Sequence, residues 1–426
     1  MIITKLNLST MSYLKIIQRC HNTIRNDIMV TPLELNKRLS KLYNTNIFYK
    51  REDLQITRSF KIRGSLNKIK SVIYDNSYQN SNGLVCASAG NHAQGFAYSC
   101  NTLNLNGTIY VPNTTPLQKI NRIKYYGKHN ITIQTYGNDL QECLVEAMDT
   151  AQKENKLFIH PFNDTDIING QSTVCYEIYK ETSPDFIISP VGGGGLLSGI
   201  INYSKAINPD CKIIGVEPEN AESLKLAFDY GKPMLFDSID TFVDGASVPK
   251  VGDKTFDICY NNLDSLYSVS KLKLCHEIVN CYQDDGIILE PAGALGIACL
   301  DKLNNDYNLE NKKIVVVLSG GNNDISRYNE IMRLNLEYMG LLHYFMIEFS
   351  QTPGQLKHFI NNILDEETDI IHFEYIKKTN RYKGKVLIGF QLNNEKSIAN
   401  LVNNLDINNI KYEKIEYNDI YYDFLI

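Results

Sequence analysis

The sequence predicts an α/β protein whose larger part is built on open, mainly parallel sheets and is followed by a smaller α+β domain. Two observations carry this. Between residues 47 and 318, short apolar runs alternate with stretches of helical period, the order of a parallel sheet covered on both faces. Beyond residue 340 the order becomes strand, helix, strand, strand, helix, strand, the ferredoxin-like arrangement. A third observation places a site. Three glycine- or serine-rich turns each follow an apolar run directly, and in an open parallel sheet such turns gather at the carboxyl edge, where ligands bind.

The elements follow in order. Residues 12–26 read as an amphipathic helix, and a second helix after Thr31-Pro32-Leu33 runs to about Tyr43. Ile47-Phe48-Tyr49 is a strand, and a charged turn then leads to a helix that starts near Ser59 and ends near Tyr74. Ser59 is an acceptable N-cap. Strand 83–87 stops at Ser88-Ala89-Gly90-Asn91-His92-Ala93-Gln94-Gly95, whose small residues open a helix to Leu103. Strands at 107–111 and 131–136 alternate with helices at 117–126 and 140–155. Helix 167–180 and strand 185–190 lead to the glycine run at 192–195, a helix to Ala206 and strand 211–216. A long irregular stretch, 218–251, precedes helices at 271–283 and 291–302 and strand 312–318. After a linker helix at 333–340, the tail reads as strand 343–350, helix 353–364, strands 369–377 and 383–392, helix 396–405 and strand 410–417.

Composition narrows the function classes. With 426 residues the chain can form two or three domains around a large core. A formal charge of −5 favours neither nucleic acid nor an anionic membrane as partner. No apolar run approaches the ~20 residues that span a bilayer. Residues 1–12 lack a basic segment followed by a small-residue cleavage site, and Met11 offers a second start. The ten cysteines stand singly between Cys20 and Cys299 with no C-x-x-C, the usage of reduced thiols in a cytoplasmic protein. Asn, Ile, Lys and Tyr are frequent and Trp is absent, which we read as mutational bias.

The chemistry concentrates in four places. Lys61 falls in the first turn of its helix, where the dipole and free N–H groups disfavour a cation, and Lys50, Arg51, Arg58 and Arg63 push the same way. A lysine so placed suits Schiff-base chemistry; the plainer reading is a basic helix start that reaches out to water. Gly192, Gly193, Gly194 and Gly195 open a helix and suit close approach of an anion to the backbone, the alternative being a flexible hinge. The run is not G-x-G-x-x-G, and no G-K-[ST] occurs, which excludes a nucleotide-hydrolysing P-loop. Ser88 to His92 offers a hydroxyl, backbone N–H groups and the Asn91 amide, with His92 read as a brace for the loop. Ser319-Gly320-Gly321-Asn322 offers a second hydroxyl at a strand end. A reactive lysine, an anion cradle, an amide and a hydroxyl together describe a pyridoxal-phosphate site.

Ser59-Phe60-Lys61-Ile62-Arg63-Gly64, residues 87–95, residues 190–195 and Ser319-Gly320-Gly321-Asn322 resemble the fold-type II pyridoxal-phosphate enzymes, and within them the biosynthetic threonine dehydratases. The tail, through His343-Tyr344-Phe345 and Pro353-Gly354-Gln355-Leu356, is similar to that family's ACT-like regulatory domain, present once, as in its short forms. The resemblance implies a catalytic part at 1–335 with a smaller inserted subdomain at about 54–155, and a regulatory part at 336–426. It implies Lys61 as the catalytic, Schiff-base lysine, with Phe60 beside the cofactor ring and Asn91 at the ring hydroxyl. The backbone from Gly192 to Leu196 would hold the phosphate, and Ser319 would face the pyridine nitrogen. It further implies deamination of L-threonine, with L-serine secondary, as the first step of isoleucine synthesis, isoleucine as effector and a homotetramer.

Two departures separate this chain from serine racemases of the same fold. Ala89 stands where a racemase carries a second acid–base serine. The positions matching the racemase cation site are Glu217, Ala221 and Ser223, and one carboxylate is thin for a divalent ion, so no functional metal is expected. Glu290, in Glu290-Pro291-Ala292-Gly293, resembles a position near the cofactor and equally suits a structural helix start. The competing readings are a catabolic serine/threonine dehydratase or other enzyme of this fold, and an amino-acid sensor whose catalytic half has decayed.

Overall fold

The computed structural model describes residues 8–376, 382–416, 419 and 422. It divides into two compact units, Met1–Asn323 and Asp324–Ile426. The division lies ahead of residue 335 because the helix at Tyr328–Tyr338 packs, through Leu336, with the strand that follows it.

The first unit holds two sheets. The larger takes β1 (Leu33–Leu35), β2 (Asn46–Arg51), β7 (Phe186–Pro190), β8 (Lys212–Pro218), β9 (Ser265–Val269) and β10 (Lys313–Leu318) in the order β1-β2-β10-β7-β8-β9. All pairs are parallel except β1 with β2. Val316 of β10 lies opposite Tyr49 of β2 on one side and Ile188 of β7 on the other. Strands covered on both faces are largely apolar, and β7 and β10 are accordingly buried through Phe186–Pro190 and 314–318, with Ser189 the one polar residue among them. One face packs against α1 (Leu8–Ile24), α7 (Thr165–Glu181), α8 (Gly195–Ile207) and α10 (Asp253–Asn262), through Ile17, Ile178, Ile200 and Phe256. The wholly buried α12 (Pro291–Ala298) lies against β7, β8 and β10, its Gly296 close enough that a Cβ would come within 2.8 Å of Val316.

The smaller sheet is fully parallel: β5 (Ile131–Thr135), β4 (Gly107–Val111), β3 (Leu84–Ala87) and β6 (Leu157–Phe158). Its core takes Ile69 from α3 (Lys61–Tyr74), Phe96 from α4 (Asn91–Thr102) and Ile123 from α5 (Leu117–Gly127). Cys143 and Ala147 of α6 (Leu140–Lys153) cover Val85 and Ala87. The sheet reaches Phe158, past the expected limit near 155, because two-residue β6 pairs with Leu84 and Val85. Further elements were not legible. β1 and β6 are short, β9 is only half-buried and not apolar throughout, α9 (Ser223–Tyr230) lies inside the stretch read as irregular, and the helix read at 291–302 breaks at Cys299 between α12 and α13 (Leu300–Tyr307). Two more helices, α2 (Lys37–Leu42) and α11 (Lys271–Gln283), complete the unit.

In the second unit, α14 (Tyr328–Tyr338) precedes β11 (Leu342–Ser350), α15 (Gln355–Ile363), β12 (Thr368–Tyr375), β13 (Lys383–Leu392), α16 (Ser397–Ile407) and β14 (Tyr412–Ile415). The sheet order β12-β13-β11-β14, antiparallel throughout, is the ferredoxin-like topology the tail predicted. Phe345, Ile347, Phe359, Ile388, Phe390 and Leu401 fill its core. The strand ends expected at Lys377 and Tyr417 lie outside the described residues. Among the described residues no helix is long and apolar enough to cross a membrane.

Candidate active site

The carboxyl ends of β2, β10 and β7 are neighbours, and each leads into one of the chemistry-bearing turns. Past β2 the chain crosses Arg58, held at φ +55°, and Ser59 forms an antiparallel bridge to Gly320. The Phe60 N–H donates to the Ser319 carbonyl at 3.1 Å, and the Gly321 N–H to the Arg58 carbonyl at 2.9 Å. The approach to Lys61 is thus stitched to the turn after β10, and Ser319 is 1% exposed beside it. The helix starts one residue later than a Ser59 N-cap implies: Phe60 takes the N-cap position, with helical angles, and the Ser59 hydroxyl accepts from the Lys61 N–H at 3.2 Å.

Lys61 Nζ donates to the Pro161 carbonyl at 3.0 Å and lies 5.3 Å from the Phe60 ring centroid and 6.0 Å from that of Phe162. Surrounding protein strips water from the ammonium and pushes its pKa down to about 8, with Glu290 opposing. The cause differs from the expected one. Lys50 and Arg63 are paired with Glu177, Arg63 also with Glu52, and Arg51 with Asp53 and Glu34, so their charges are largely compensated.

Asn91 opens α4 from the turn after β3. Its Nδ2 donates to both Glu290 carboxylate oxygens, at 2.8 and 2.9 Å, and its Oδ1 accepts from Asn322 Nδ2 at 2.8 Å. Burial raises the Glu290 carboxyl to about 7 against the pull of Asn91. Its backbone stands at the start of α12, the structural reading of Glu290, while its side chain turns to Asn91. His92 is buried, bonds through Nε2 to the Ile159 carbonyl at 3.0 Å, and is held neutral by burial with its pKa near 3, the loop-bracing role expected of it.

The glycine run follows β7 and starts α8. Gly194 sits at φ +86°, which favours glycine, and a Cβ there would come within 2.8 Å of Thr255. A Cβ on Gly193 would lie 2.3 Å from the Phe162 ring, so Phe162 joins the glycine run to the lysine. Gly192, Gly195 and Leu196 complete the turn, and the first N–H groups of a helix have no partner within it. Thr255 Oγ1 donates to the Gly193 carbonyl at 2.7 Å and fixes the loop from outside.

The loop 159–163 was missed. His160 Nδ1 accepts from the N–H groups of Phe162 and Asn163 at 3.1 and 2.8 Å, and burial lowers its pKa to about 4. This turn sets both Pro161 and Phe162 against Lys61. Its signal, His160-Pro161-Phe162-Asn163, follows a strand too short to read. Away from this site, both Glu217 oxygens accept backbone N–H groups of α9, from Leu224 at 2.7 Å and Lys225 at 3.0 Å, and burial raises its pKa to about 8. Among the described residues no cluster of metal-ligating side chains occurs.

A desolvated amine, a glycine turn at a helix N-terminus packed on the ring beside that amine, and a hydroxyl-bearing residue at the intervening strand end fit pyridoxal phosphate: an amine to bind its carbonyl, N–H groups for its phosphate, a neutral partner for its ring nitrogen. The comparisons agree. Residues 24–320 match the family described as pyridoxal-phosphate dependent enzyme, and residues 335–425 the C-terminal regulatory domain of threonine dehydratase. The chain is 42% identical over 408 residues to L-threonine dehydratase biosynthetic IlvA of Halalkalibacterium halodurans, covering 95% of this chain and 97% of that one. To the Bacillus subtilis protein of the same name it is 40% identical over 414 residues, 97% of each chain. Among solved structures it is similar to the processed form of threonine deaminase isoform 2 from Solanum lycopersicum, with a TM-score of 0.71 and 34% identity over 77% of this chain and 93% of that one. Maize serine racemase gives a TM-score of 0.69 at 28% identity, covering 76% and 98%. The chain belongs to the pyridoxal-phosphate-dependent threonine dehydratases.

Proposed function

We propose that this chain converts L-threonine to 2-oxobutanoate and ammonia, with L-serine as a secondary substrate, as the first step of isoleucine synthesis from threonine. The observation that carries the reading is the desolvated Lys61 amine between Phe60 and Phe162, where the ends of β2, β10 and β7 come together. The relatives named for threonine support the choice of substrate.

In this reading Lys61 Nζ would hold the cofactor through its carbonyl and, as a free amine, would take the proton from the substrate Cα. Its lowered pKa leaves a usable fraction neutral near pH 8. The N–H groups from Gly192 to Leu196 would hold the phosphate, Phe60 would flank the ring, and Asn91, oriented by Glu290 and Asn322, would face the ring hydroxyl. Bound pyridoxal phosphate supplies an electron-withdrawing ring that stabilises negative charge at Cα. The Ser319 hydroxyl, unlike a carboxylate, does not hold the ring nitrogen protonated. A ring so partnered would withdraw less charge, which suits loss of the β-hydroxyl. Water lost at Cβ is regained on hydrolysis to the oxo acid and ammonia, so the net reaction consumes none.

The second unit is read as the effector domain, with isoleucine as effector, in a cytoplasmic homotetramer. The match of 335–425 to a threonine dehydratase regulatory domain supports the effector role. A 2-oxobutanoate assay with threonine, run with and without isoleucine, tests both halves. No oxo acid from threonine would sink the catalytic reading, and an isoleucine-insensitive saturation curve the regulatory one.

A further inference from the structure

Arg63 follows Lys61 by two residues on α3, about 200° around the helix at 100° per residue, so the two side chains leave on opposite sides. Lys61 faces the cleft, and Arg63 is 0% exposed. Its guanidinium is gripped by two carboxylates. Nε and Nη2 donate to Glu52 at 2.8 Å each, and Nη1 and Nη2 to Glu177 at 2.7 Å each. Nη1 also reaches Thr173 Oγ1 at 3.2 Å. Lys50 Nζ, also 0% exposed, donates to Glu177 at 2.6 Å and to the Thr31 carbonyl at 2.6 Å, while Thr31 Oγ1 donates to Glu52 at 2.5 Å. Two cations balance two anions, on β2, the turn after it, α3 and α7.

Burying four charges costs desolvation that apolar residues of similar volume would avoid, so the cluster is poorly explained by stability alone. Its geometry suggests another role. A planar fork held bidentately on two sides cannot rotate, and it sits where α3 and α7 touch backbone to backbone: a Cβ on Gly170 would lie 2.6 Å from the Arg63 carbonyl and 2.7 Å from Gly64 Cα. At the start of α3 Phe60 supplies no side-chain cap, and the backbone there is held, besides the fork, by the Ser59 hydroxyl on the Lys61 N–H and by the Phe60 N–H on the Ser319 carbonyl. On the far side, a Cβ on Gly95 would lie 3.0 Å from the Ile62 backbone nitrogen, so α4 closes the clamp.

We propose that Arg63 is a positioning residue for Lys61: its fork between Glu52 and Glu177 sets the rotation of α3 about its axis, and thereby aims Lys61 Nζ at the Pro161–Phe162 wall. The inference rests on Lys61 being the lysine that binds pyridoxal phosphate.

The test uses full-length holoenzyme. Arg63→Lys keeps the charge and removes the planar fork; Glu52→Gln keeps the volume and removes one charge of the grip. We expect Arg63→Lys to lower kcat for threonine about tenfold or more with KM changed less than about twofold, since small misplacements of reacting groups cost rate steeply. The rate of borohydride trapping of pyridoxal phosphate on Lys61, followed by peptide mapping, should fall with it. Glu52→Gln should show the same pattern at smaller size. If both variants lose only thermal stability, with kcat per folded enzyme and trapping rate unchanged, Arg63 is merely structural and the proposal is overturned. Should Arg63→Lys fail to fold, Glu52→Gln decides by the same criterion. Wild-type enzyme that traps no cofactor at Lys61 would overturn the assignment of that lysine, and the positioning role with it.

Discussion

At Lys61 burial weakens an amine's ordinary hold on its proton, from 10.5 to about 8. Below pH 8 the folded chain therefore carries a poorly hydrated ammonium, a penalty that fades between pH 8 and 10.5 and is gone where the amine is neutral in both folded and unfolded chains. Cofactor-free Lys61→Met should accordingly melt above wild type at pH 7, with a margin that shrinks as pH rises; calorimetry showing no difference at pH 7 would mean the ammonium is well solvated. In the holoenzyme Lys61→Ala should abolish turnover with the fold intact by circular dichroism, and a tenth of wild-type kcat would be too much for the proposed role. Ser319→Asp should lower kcat for dehydration by forcing the ring nitrogen to stay protonated. Unchanged kcat would remove Ser319 from the ring. Racemisation should be slow relative to elimination because Ala89 carries no proton-bearing group, which chiral chromatography of serine after long incubation would check.

Among the elements, the start of α8 is the least tolerant. Gly194→Ala would place a side chain in the left-handed region, at about 1–2 kcal/mol, and push its methyl onto Thr255. Pyridoxal-phosphate affinity, followed by absorbance titration, should drop about tenfold, since ~1.4 kcal/mol is a factor of ten. Gly231→Ala is the control: φ is +66° there too, but nothing lies within 4 Å of the new methyl, so stability should fall slightly while cofactor affinity holds. Equal losses of affinity in the two variants would show that backbone strain alone, and not the shape of the turn, is being measured. The strand that leads into this turn, β7, and its neighbour β10 were plain in the sequence because burial on both faces demands largely apolar runs. The two-residue β6 and the half-polar β9 were not, because their order comes from pairing with β3 and β8 rather than from any local preference.

For the whole molecule, two units of different architecture match two families in one chain, catalytic at 24–320 and regulatory at 335–425. If the second unit senses isoleucine, adding it should shift the threonine saturation curve of full-length enzyme by a coupling of ~1–3 kcal/mol. A chain ending at Asn323 should keep turnover and lose that shift. Absence of isoleucine binding by calorimetry, with an unchanged saturation curve, would leave the tail a structural module.

The residues alone determined the succession of elements, the change of architecture near residue 340, and the four chemistry-bearing turns, because apolar period, glycine placement and turn chemistry are local properties of the chain. The tertiary structure decided which of those turns meet. Strand order β2-β10-β7 brings Lys61, Ser319 and the glycine run together from positions far apart in the chain. It also decided why the lysine is perturbed: desolvation beside Phe60 and Phe162, not Lys50, Arg51 and Arg63, whose charges Glu177 and Glu34 compensate from distant elements and Glu52 and Asp53 from the turn after β2. Charge compensation and loss of water depend on what packs around a group, and no run of neighbouring residues encodes that.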